Sequence, residues 1–330
     1  MKQCLLGRTG LTISPIGLGT WAMSGTGWNQ GWGRQDDEVS IQTIHQAIAL
    51  GINWIDTAAT YGVGHSEEVV GQAIRRLPAS DRPLVFTKCG VIRQPGNLTS
   101  PPVRTLAPDS IRAEVEASLR RLGMDHVDVL QFHFPDEQGT PLEDSWGTMQ
   151  RLIDEGKVRA SGLSNFPIPL MERCEAIAPI GCIQPGLSLI HREALEMELP
   201  WAAAHNVGAI VFSPLRSGLL TDSFSSAEVD TFENGDWRRD HPDFQRPGLD
   251  RNLYLRDLIR PIASRHSSTV SAIAIAWALS QNGVTGAIAG ARAPDEIAAW
   301  IGAAELDLDD VDGADIDAAI RASRAGALRE

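Results

Sequence analysis

The 330-residue sequence is poor in cysteine, and it shows neither a secretory signal nor a long apolar run. Its four cysteines have no C-x-x-C spacing, which argues against a structural zinc site and indicates free thiols in a reducing compartment. The N-terminus has no apolar signal-peptide core, and no uncharged apolar stretch reaches transmembrane length. We therefore expect a cytoplasmic protein without a membrane partner.

Positive charge is also scarce, since 29 lysines and arginines stand against 42 aspartates and glutamates. The resulting formal charge of −13 argues against nucleic acid or an anionic membrane surface as the main partner. The composition is that of a globular chain, long enough for one large core or two smaller ones. No linker-like stretch divides residues 1–330, so we predict a single domain, with the oligomeric state left open.

Only two tyrosines occur, and one of them, Tyr61, lies in the stretch N-W-I-D-T-A-A-T-Y-G at 53–62. Asp56 closes a short apolar run in this stretch, five residues before Tyr61. A free phenol has a pKa of about 10, which must fall before the group can act as a general acid at neutral pH. The stretch therefore indicates a proton-donating tyrosine that needs a cation from elsewhere in the chain.

Short β-like runs alternate with longer segments of helical periodicity. Eight strand candidates lie at 16–18, 53–56, 84–87, 127–132, 160–163, 182–184, 209–212 and 287–289. At this chain length the pattern favours a closed (β/α)8 TIM barrel of the α/β class over an open sheet. Residues 2–14 read as an N-terminal β-hairpin. Two long loops, 25–35 and 216–250, follow strands one and seven and are expected on the C-terminal, catalytic face.

Polar residues end or directly follow six of the strand candidates: Asp56 and Gln184 end theirs, and Lys88, His133, Ser164 with Asn165, and Ser213 follow theirs. A barrel would bring them to one mouth. Lys88 beside Tyr61 would lower the phenol pKa, and Asp56 would hold Lys88 charged. His133 could orient a substrate oxygen or share the proton. Taken singly, Asp56 could be a turn cap, Lys88 a solvated strand end and His133 a core histidine. Together they predict a site that polarises a carbonyl and supplies a proton.

Two other site classes can be rejected. Residues 17–22, G-L-G-T-W-A, satisfy the dinucleotide pattern G-x-G-x-x-[GA], but a Rossmann site needs a helix to open at that turn. A glycine- and tryptophan-rich loop follows instead, so we reject a doubly wound domain. A metal-dependent barrel hydrolase is rejected because no H-x-H follows strand one and the eight histidines are dispersed. No metal is predicted.

Six motifs, in order and normally spaced, together resemble those of the aldo-keto reductase family. They are G-L-G-T-W at 17–21, D-T-A-x-x-Y-G at 56–62, T-K-C-G at 87–90, D-V-L-Q-F-H-F-P at 128–135, G-L-S-N-F at 162–166 and S-P-L-R-S-G-L-L at 213–220. Residues 236–245 resemble the bacterial general-stress branch and the pyridoxal- or sugar-handling members. The resemblance implies a (β/α)8 barrel that binds NAD(P)(H) across its mouth and moves hydride between nicotinamide and a carbonyl or alcohol.

The resemblance also implies roles for individual residues. Asp56, Tyr61, Lys88 and His133 would form a catalytic tetrad, with Tyr61 as proton donor in reduction. Ser164, Asn165 and Gln184 would hold the carboxamide, and backbone N–H groups of 213–220 would wrap the pyrophosphate. The full implied cofactor set is Gly19, Thr20, Trp21, Asp56, Ser164, Asn165, Gln184, Phe212, Ser213, Pro214, Leu215, Ser217, Gly218, Leu219, Gly290, Ala291, Arg292 and Glu296.

The residues expected at the adenosine end of the cofactor do not decide between NADP(H) and NAD(H). Arg292 suits a 2′-phosphate, which gives NADP(H) a slight preference. Glu296 replaces a neutral or basic residue of related sequences, and its carboxylate would repel that phosphate and accept from a free 2′-hydroxyl. Trp300 stands where related sequences have an adenine-reading asparagine.

We predict an NAD(P)(H)-dependent aldo-keto reductase, or alcohol or sugar dehydrogenase, that acts on a small-molecule carbonyl or alcohol. The alternative is a cofactor-binding regulatory subunit of the potassium-channel β-subunit type, whose members keep the same tetrad. The sequence lacks an extended N-terminal partner-binding segment, which favours the enzyme. The substrate is left open. Aromatic residues of the two long loops are expected to line its pocket: Trp28, Trp32, Phe232, Trp237 and Phe244.

Overall fold

A computed structural model describes residues 1–93, 99–233 and 236–326. Its strands are β1 (Cys4–Leu5), β2 (Thr12–Ile13), β3 (Ile16–Gly19), β4 (Trp54–Asp56), β5 (Leu84–Cys89), β6 (Val91–Ile92), β7 (Val103–Arg104), β8 (Val127–Phe132), β9 (Val158–Ser164), β10 (Cys182–Gln184), β11 (Gly208–Phe212) and β12 (Gly286–Gly290). Eight of them, β3 to β5 and β8 to β12, pair in parallel and close into a barrel. All eight strand candidates coincide with these strands, apart from Asn53, which precedes β4, and the predicted (β/α)8 barrel is confirmed.

Helices surround the barrel. They are α1 (Asp37–Ala49), α2 (His65–Arg75), α3 (Pro108–Leu122), α4 (Leu142–Asp154), α5 (Ile168–Ile177), α6 (Glu198–His205), α7 (Ser226–Val229), α8 (Gly248–Arg265), α9 (Val270–Ser280) and α10 (Asp310–Ser323). Helix α1 begins at an Asp36 cap, whose carboxylate accepts from the Val39 N–H at 3.0 Å. No helix within the described ranges is both long and apolar enough to cross a membrane.

The predicted hairpin closes the N-terminal end of the barrel. Strands β1 and β2 pair antiparallel, and Leu6 and Ile13 of this segment are buried against Trp54 and Phe86 of the barrel interior. Gly7 has a φ of +50°, and a Cβ there would lie 2.2 Å from the Gly208 backbone nitrogen. The hairpin backbone therefore rests directly on the barrel rim, where no larger residue fits.

Alternation along the strands gives the barrel interior two layers. The lower layer is largely apolar and contains Trp54, Phe86, Val129, Ala160, Cys182, Ile210 and Ile288. Because side chains two residues apart on a strand share a face, the next inward layer is Asp56, Lys88, Gln131, Gly162, Gln184, Phe212 and Gly290. The barrel thus changes from an apolar interior to a polar one towards the C-terminal ends of its strands.

The two long loops meet over that polar end. A parallel β-bridge joins Gly31 of the first loop to Asp236 of the second. The indole rings of Trp32 and Trp237, one from each loop, lie with their centroids 6.1 Å apart. The second loop contains α7 and several 3₁₀ turns, and its residues 234–235 lie outside the described part of the chain. Two separate insertions therefore form one cover.

Candidate active site

Lys88 lies at the centre of a buried polar cluster where β4 and β5 end. Its side chain is fully buried, and its Nζ donates to the Asp56 Oδ1 atom at 2.5 Å. It also donates to the Thr57 carbonyl at 2.9 Å and to the Tyr61 phenol oxygen at 3.3 Å. An ammonium group has three N–H donors, so this set uses all of them. The structure brings together three of the four residues predicted as a tetrad.

The pKa of Lys88 lies above its ordinary value despite its burial. Burial alone acts to lower this pKa, but the negative charge of Asp56 and the contact with Tyr61 outweigh it. Lys88 is therefore charged at neutral pH, with Asp56 as its counter-ion. This is the relation that the sequence predicts for the two residues.

The net pKa of Tyr61 is raised although Lys88 acts to lower it, so the expected direction of the Lys88 contribution is found and the expected net fall is not. Burial raises the pKa of the phenol, and the charge of Lys88 opposes this shift without cancelling it. The carboxylate of Asp56 adds to the upward shift. The Tyr61 phenol is therefore protonated at neutral pH, and the charge of Lys88 favours its ionised form.

A tight turn positions Tyr61 after β4. The Tyr61 N–H donates to the Ala58 carbonyl at 3.1 Å. The next residue, Gly62, has a φ of +60°, and a Cβ there would lie 2.3 Å from the Ser24 carbonyl oxygen. Only glycine fits this close approach, so the sequence Tyr-Gly fixes where the phenol leaves the backbone.

His133, the fourth predicted member, lies beside the phenol at the end of β8. Its ring meets the Tyr61 ring edge to face, with centroids 5.9 Å apart. Burial, together with the charges of Lys88 and Arg104, holds the pKa of His133 well below its usual range. The imidazole is therefore neutral at neutral pH and can donate a hydrogen bond to a substrate oxygen without delivering a charge.

Two glutamines complete the environment of Asp56. The Gln184 Nε2 atom donates to Asp56 Oδ2 at 2.7 Å, and the Gln131 Nε2 atom donates to the same oxygen at 3.3 Å. Gln184 also donates to the Gln131 Oε1 atom at 3.0 Å. Sequence reasoning missed Gln131, although its position two residues after the inward Val129 was a signal for it. Gln184 contacts Asp56 here, and its predicted role as a carboxamide ligand stays a prediction.

The other residues predicted to hold the carboxamide gather at neighbouring strand ends. The Ser164 hydroxyl donates to the Gln184 carbonyl at 3.1 Å. Asn165 has a left-handed backbone, with a φ of +59°, and its Nδ2 donates to the His133 carbonyl at 3.0 Å. The Phe212 ring lies against Gly186, where a Cβ would be 3.1 Å from the ring. These side chains form one wall of the mouth beside the catalytic cluster.

The loop predicted to wrap a pyrophosphate has an unusual backbone. Ser213, Arg216 and Ser217 have φ values of +57°, +43° and +55°, and Gly218 follows at +100°. A left-handed non-glycine residue costs on the order of 1–3 kcal/mol, and such residues cluster at ligand clamps. Backbone N–H groups in turns of this kind form concave anion sites. Several N–H groups of this loop, including those of Arg216, Gly218 and Leu219, already donate to backbone carbonyls, so its predicted contact with a pyrophosphate stays a prediction.

The side chain of Arg216 anchors this turn to a later part of the second long loop. Its Nε atom donates to the Asp243 carboxylate, which also contacts His191 Nε2 at 3.1 Å. Burial acts to raise the pKa of Asp243, but the hydrogen bonds from His191 and Arg216 prevail and lower it to about 2. Arg216 is thus a neutralised structural cation.

The remaining residues of the predicted cofactor set lie around the same rim. In the barrel register Gly19 lies beside both Asp56 and Gly290. The Thr20 hydroxyl donates to the Asp56 carbonyl at 3.1 Å. The side chains of Pro214, Leu219 and Ala291 are buried, whereas Leu215 is partly exposed.

Arg292 lies at the far end of the rim, just beyond β12. Its guanidinium donates to the Gln35 Oε1 atom and to the Arg34 carbonyl, and its backbone N–H donates to the Glu296 carboxylate at 2.9 Å. Glu296 belongs to a 3₁₀ helix, Pro294–Ala299. Sequence reasoning missed Gln35, which is 257 positions away from Arg292.

Tryptophans cover Tyr61. The Trp21 ring stacks on the Tyr61 ring with centroids 6.2 Å apart, and Trp237 stacks on Trp21 at 5.3 Å. Trp32 meets Trp21 edge to face at 5.4 Å. Phe244, expected to line the pocket, is instead buried at the base of the second loop, against Phe232. Its position in an apolar cluster of that loop explains the difference.

Comparison with known proteins gives a consistent result. Residues 15–321 match the Aldo/keto reductase family. The chain is 38% identical to the Aldo-keto reductase YhdN of Bacillus subtilis, over 91% of this chain and 87% of that protein. It is 34% identical to the NADH-specific methylglyoxal reductase of Escherichia coli, over 94% and 96% of the two chains.

Solved structures agree in fold. The glycerol dehydrogenase AKR11B4 from Gluconobacter oxydans superposes with a TM-score of 0.87, at 35% identity, and the match covers 99% of this chain and 97% of that one. The holo form of the aldo-keto reductase AKR11C1 from Bacillus halodurans has a TM-score of 0.79 at 22% identity, over 100% and 98% of the chains. This second likeness concerns the fold alone.

Proposed function

The chain belongs to the aldo/keto reductase family, and we propose that it is an NAD(P)(H)-dependent oxidoreductase that interconverts a carbonyl and an alcohol by hydride transfer. The observation that carries the proposal is the chain of contacts from Asp56 through Lys88 to the Tyr61 phenol. It joins a protonated donor to a charged, buried cation. Such a pair supplies a proton and stabilises the base left behind.

The residues divide the reaction between them. The nicotinamide cofactor, when bound, supplies or accepts the hydride. In reduction, the Tyr61 hydroxyl gives its proton to the carbonyl oxygen as the carbon receives hydride, so an alcohol and a tyrosinate are formed. Lys88 stabilises that tyrosinate, and neutral His133 donates a hydrogen bond that orients the substrate oxygen. In oxidation, the tyrosinate takes the proton back.

We propose small, oxygen-rich substrates such as short hydroxylated or dicarbonyl compounds. Two relatives support this class, because one is named a methylglyoxal reductase and the other a glycerol dehydrogenase. In the tryptophan cover, the indole N–H groups of Trp32 and Trp237 are buried and have no hydrogen-bond partner among the described residues. A buried donor without an acceptor is costly, so a substrate oxygen there would be favoured.

The cofactor is proposed as NADP(H), with NAD(H) as the alternative. Arg292 supports NADP(H), because an arginine fork suits a phosphate group. The name of the Escherichia coli relative, which is NADH-specific, supports the alternative. Direct titration of the purified protein with both reduced cofactors would decide between them.

Replacement of the proposed proton donor tests the function. The Tyr61→Phe variant should bind cofactor normally and lose about 10²–10⁴-fold in turnover, the usual contribution of a general acid. Tyr254→Phe is a matched control, since Tyr254 is the other tyrosine and lies 51% exposed on α8. Turnover of methylglyoxal, glyceraldehyde and glycerol would be measured with both cofactors, and binding by tryptophan fluorescence.

Two results would count against the proposal. Near wild-type turnover by Tyr61→Phe would remove the proton-donor role. A wild-type protein that neither binds a nicotinamide cofactor nor turns over any carbonyl or alcohol of the panel would contradict the function as a whole.

A further inference from the structure

The guanidinium of Arg292 is held by the end of the first long loop. Its Nε atom donates to the Gln35 Oε1 atom at 3.1 Å, and its Nη2 atom donates to the Arg34 carbonyl at 2.5 Å. The Nη1 atom has no hydrogen-bond partner in the part of the chain that the structure describes. One edge of the guanidinium is thus fixed by protein, while the remaining nitrogen is available.

The amide of Gln35 is itself fully used. Its Nε2 atom donates to the Arg292 carbonyl at 2.7 Å and to the Ser40 hydroxyl at 3.0 Å. Ser40 is fully buried, and its hydroxyl donates to the Asp36 carbonyl at 2.9 Å. With its oxygen accepting and its nitrogen donating twice, the amide has one orientation. Gln35 therefore presents a fixed acceptor to Arg292.

The positive charge of Arg292 is not neutralised. Both acceptors of its guanidinium are neutral oxygens, and no described carboxylate forms an ion pair with it. Glu296 accepts from the Arg292 backbone N–H, which gives its carboxylate a structural task. A cation held in place by neutral groups keeps its charge for a ligand, whereas a carboxylate partner would have cancelled it.

The carboxylates at the start of α1, next to this site, contact groups other than Arg292. Asp36 caps the helix through the Val39 N–H at 3.0 Å. Asp37 contacts His65 at 2.9 Å, and Glu38 pairs with Arg76 at 2.8 Å. Each of these carboxylates already has a partner other than Arg292. Their engagement leaves the guanidinium as a prepared anion site.

We propose that Gln35 is a positioning residue that fixes Arg292 for the 2′-phosphate of NADP(H), and that cofactor preference depends on both residues. The inference rests on the proposed function, because it assumes that the adenosine end of a dinucleotide reaches Arg292. A fixed guanidinium loses less side-chain freedom when it binds a phosphate, so affinity gains from preorganisation. NAD(H), which has no 2′-phosphate, gains nothing from Gln35.

Calorimetric titration with two nucleotides separates this role from a structural one. The ligands are adenosine 2′,5′-bisphosphate, which carries the 2′-phosphate, and adenosine 5′-diphosphate, which does not. In Gln35→Ala we expect the Kd of the 2′,5′-bisphosphate to rise about tenfold and that of the 5′-diphosphate to change less than about twofold. Gln42→Ala is a matched control, because Gln42 is exposed on α1; it should change neither Kd.

Gln35→Glu gives the sharper test. It keeps an acceptor for the Arg292 Nε atom but adds a negative charge, which would neutralise the guanidinium. We expect a loss of 2′,5′-bisphosphate affinity at least as large as in Gln35→Ala. If Gln35 merely anchored the loop, the Kd values of both nucleotides would rise together, because a carboxylate cannot donate to the Arg292 carbonyl as the Gln35 Nε2 atom does. If Gln35 had no role, both Kd values would stay at the wild-type level. Either of those results would overturn the proposal. Gln35→Met repeats the test at similar side-chain size if Gln35→Ala unfolds.

The failures of the two proposals are distinguishable. A wild-type protein that binds both nucleotides equally, with no selective effect of Gln35 variants, overturns the positioning role and leaves the oxidoreductase intact. A wild-type protein that binds neither nucleotide and reduces no carbonyl overturns the proposed function, and the inference falls with it.

Discussion

The cations at the two ends of the proposed cofactor cleft differ in whether they have a charged partner. At the catalytic end, Lys88 is buried and paired with Asp56 at 2.5 Å. At the adenosine end, Arg292 is partly exposed and held only by neutral oxygens of Gln35 and Arg34. A paired cation can serve a fixed internal task, which we propose to be stabilisation of the Tyr61 phenolate. An unpaired cation keeps its charge for a ligand that comes and goes.

The two ends also differ in their supports. Asp56 and Lys88 stand on barrel strands whose register and burial leave one arrangement. Gln35 belongs to the first long loop and contacts Arg292, which lies 257 positions later in the sequence. Sites on strands are held more accurately than sites on loops. We infer that the barrel determines the reaction and that the loops determine the ligands.

Removal of Lys88 should have the largest effect, because it breaks the buried ion pair with Asp56 at the catalytic end. Lys88→Met should lower turnover by about 10²–10⁴-fold. It should also destabilise the fold by about 3–5 kcal/mol, since the Asp56 carboxylate is left buried without a counter-ion. The double variant Asp56→Asn with Lys88→Met should recover most of the stability but none of the activity. Urea unfolding and steady-state turnover measure the two effects.

The pH profile of Lys88→Met tests the same pair. Lys88 lowers the pKa of Tyr61, although burial keeps the net shift upward. Reduction requires the protonated phenol, so its rate falls as pH rises through the Tyr61 pKa. Without Lys88 that pKa rises, and the alkaline limb of the residual activity should move to higher pH. A limb at the same pH in both proteins would contradict a role of Lys88 in tuning Tyr61.

Removal of the unpaired cation should affect ligand choice only. Arg292→Ala should raise the KM for NADPH by about 10–100-fold, the value of a charge-assisted phosphate contact, and leave the KM for NADH nearly unchanged. Stability should change little, because no described ion pair is lost. Equal effects on the two cofactors would show that Arg292 does not meet a 2′-phosphate.

The two ends of the proposed cofactor cleft also differ in how well the sequence predicts them, because one end stands on strands and the other on loops. The positions of Asp56 and Lys88 at the C-terminal ends of two strand candidates indicated that both lie at one barrel mouth, and the structure places them in contact. The depth of burial was not visible in the sequence, so the net upward shift of the Tyr61 pKa was not predicted, although the lowering contribution of Lys88 was. The contact of Gln35 with Arg292 joins two distant loop positions, and no local pattern indicates it.

Helix α8 is a further case in which local signals mislead. The sequence predicts a long loop over 216–250, yet α8 begins within it, at Gly248, and extends to Arg265. Pro261 lies inside this helix, where proline removes a backbone hydrogen bond and usually ends the helix. Burial of Leu255, Ile259 and Ile262 on one face outweighs that cost. Tertiary packing thus overrode local propensity.

The smallest expected effect concerns Arg216, which lies between the catalytic and adenosine ends of the cleft and is neutralised by Asp243. It is also the most discriminating test of the comparison between paired and unpaired cations. Its partner Asp243 has a pKa lowered to about 2 by His191 and Arg216, which outweigh the effect of burial. A depressed carboxylate pKa adds stability above the unfolded-state value of about 4 and loses it as pH falls towards the folded-state value. Asp243→Asn should therefore be less stable than wild type at pH 7, by on the order of 1 kcal/mol. The difference should shrink as the pH falls below about 4 in thermal unfolding between pH 3 and 7. A difference independent of pH would show that the carboxylate charge does not hold this loop. Arg216 would then be a second unpaired cation like Arg292.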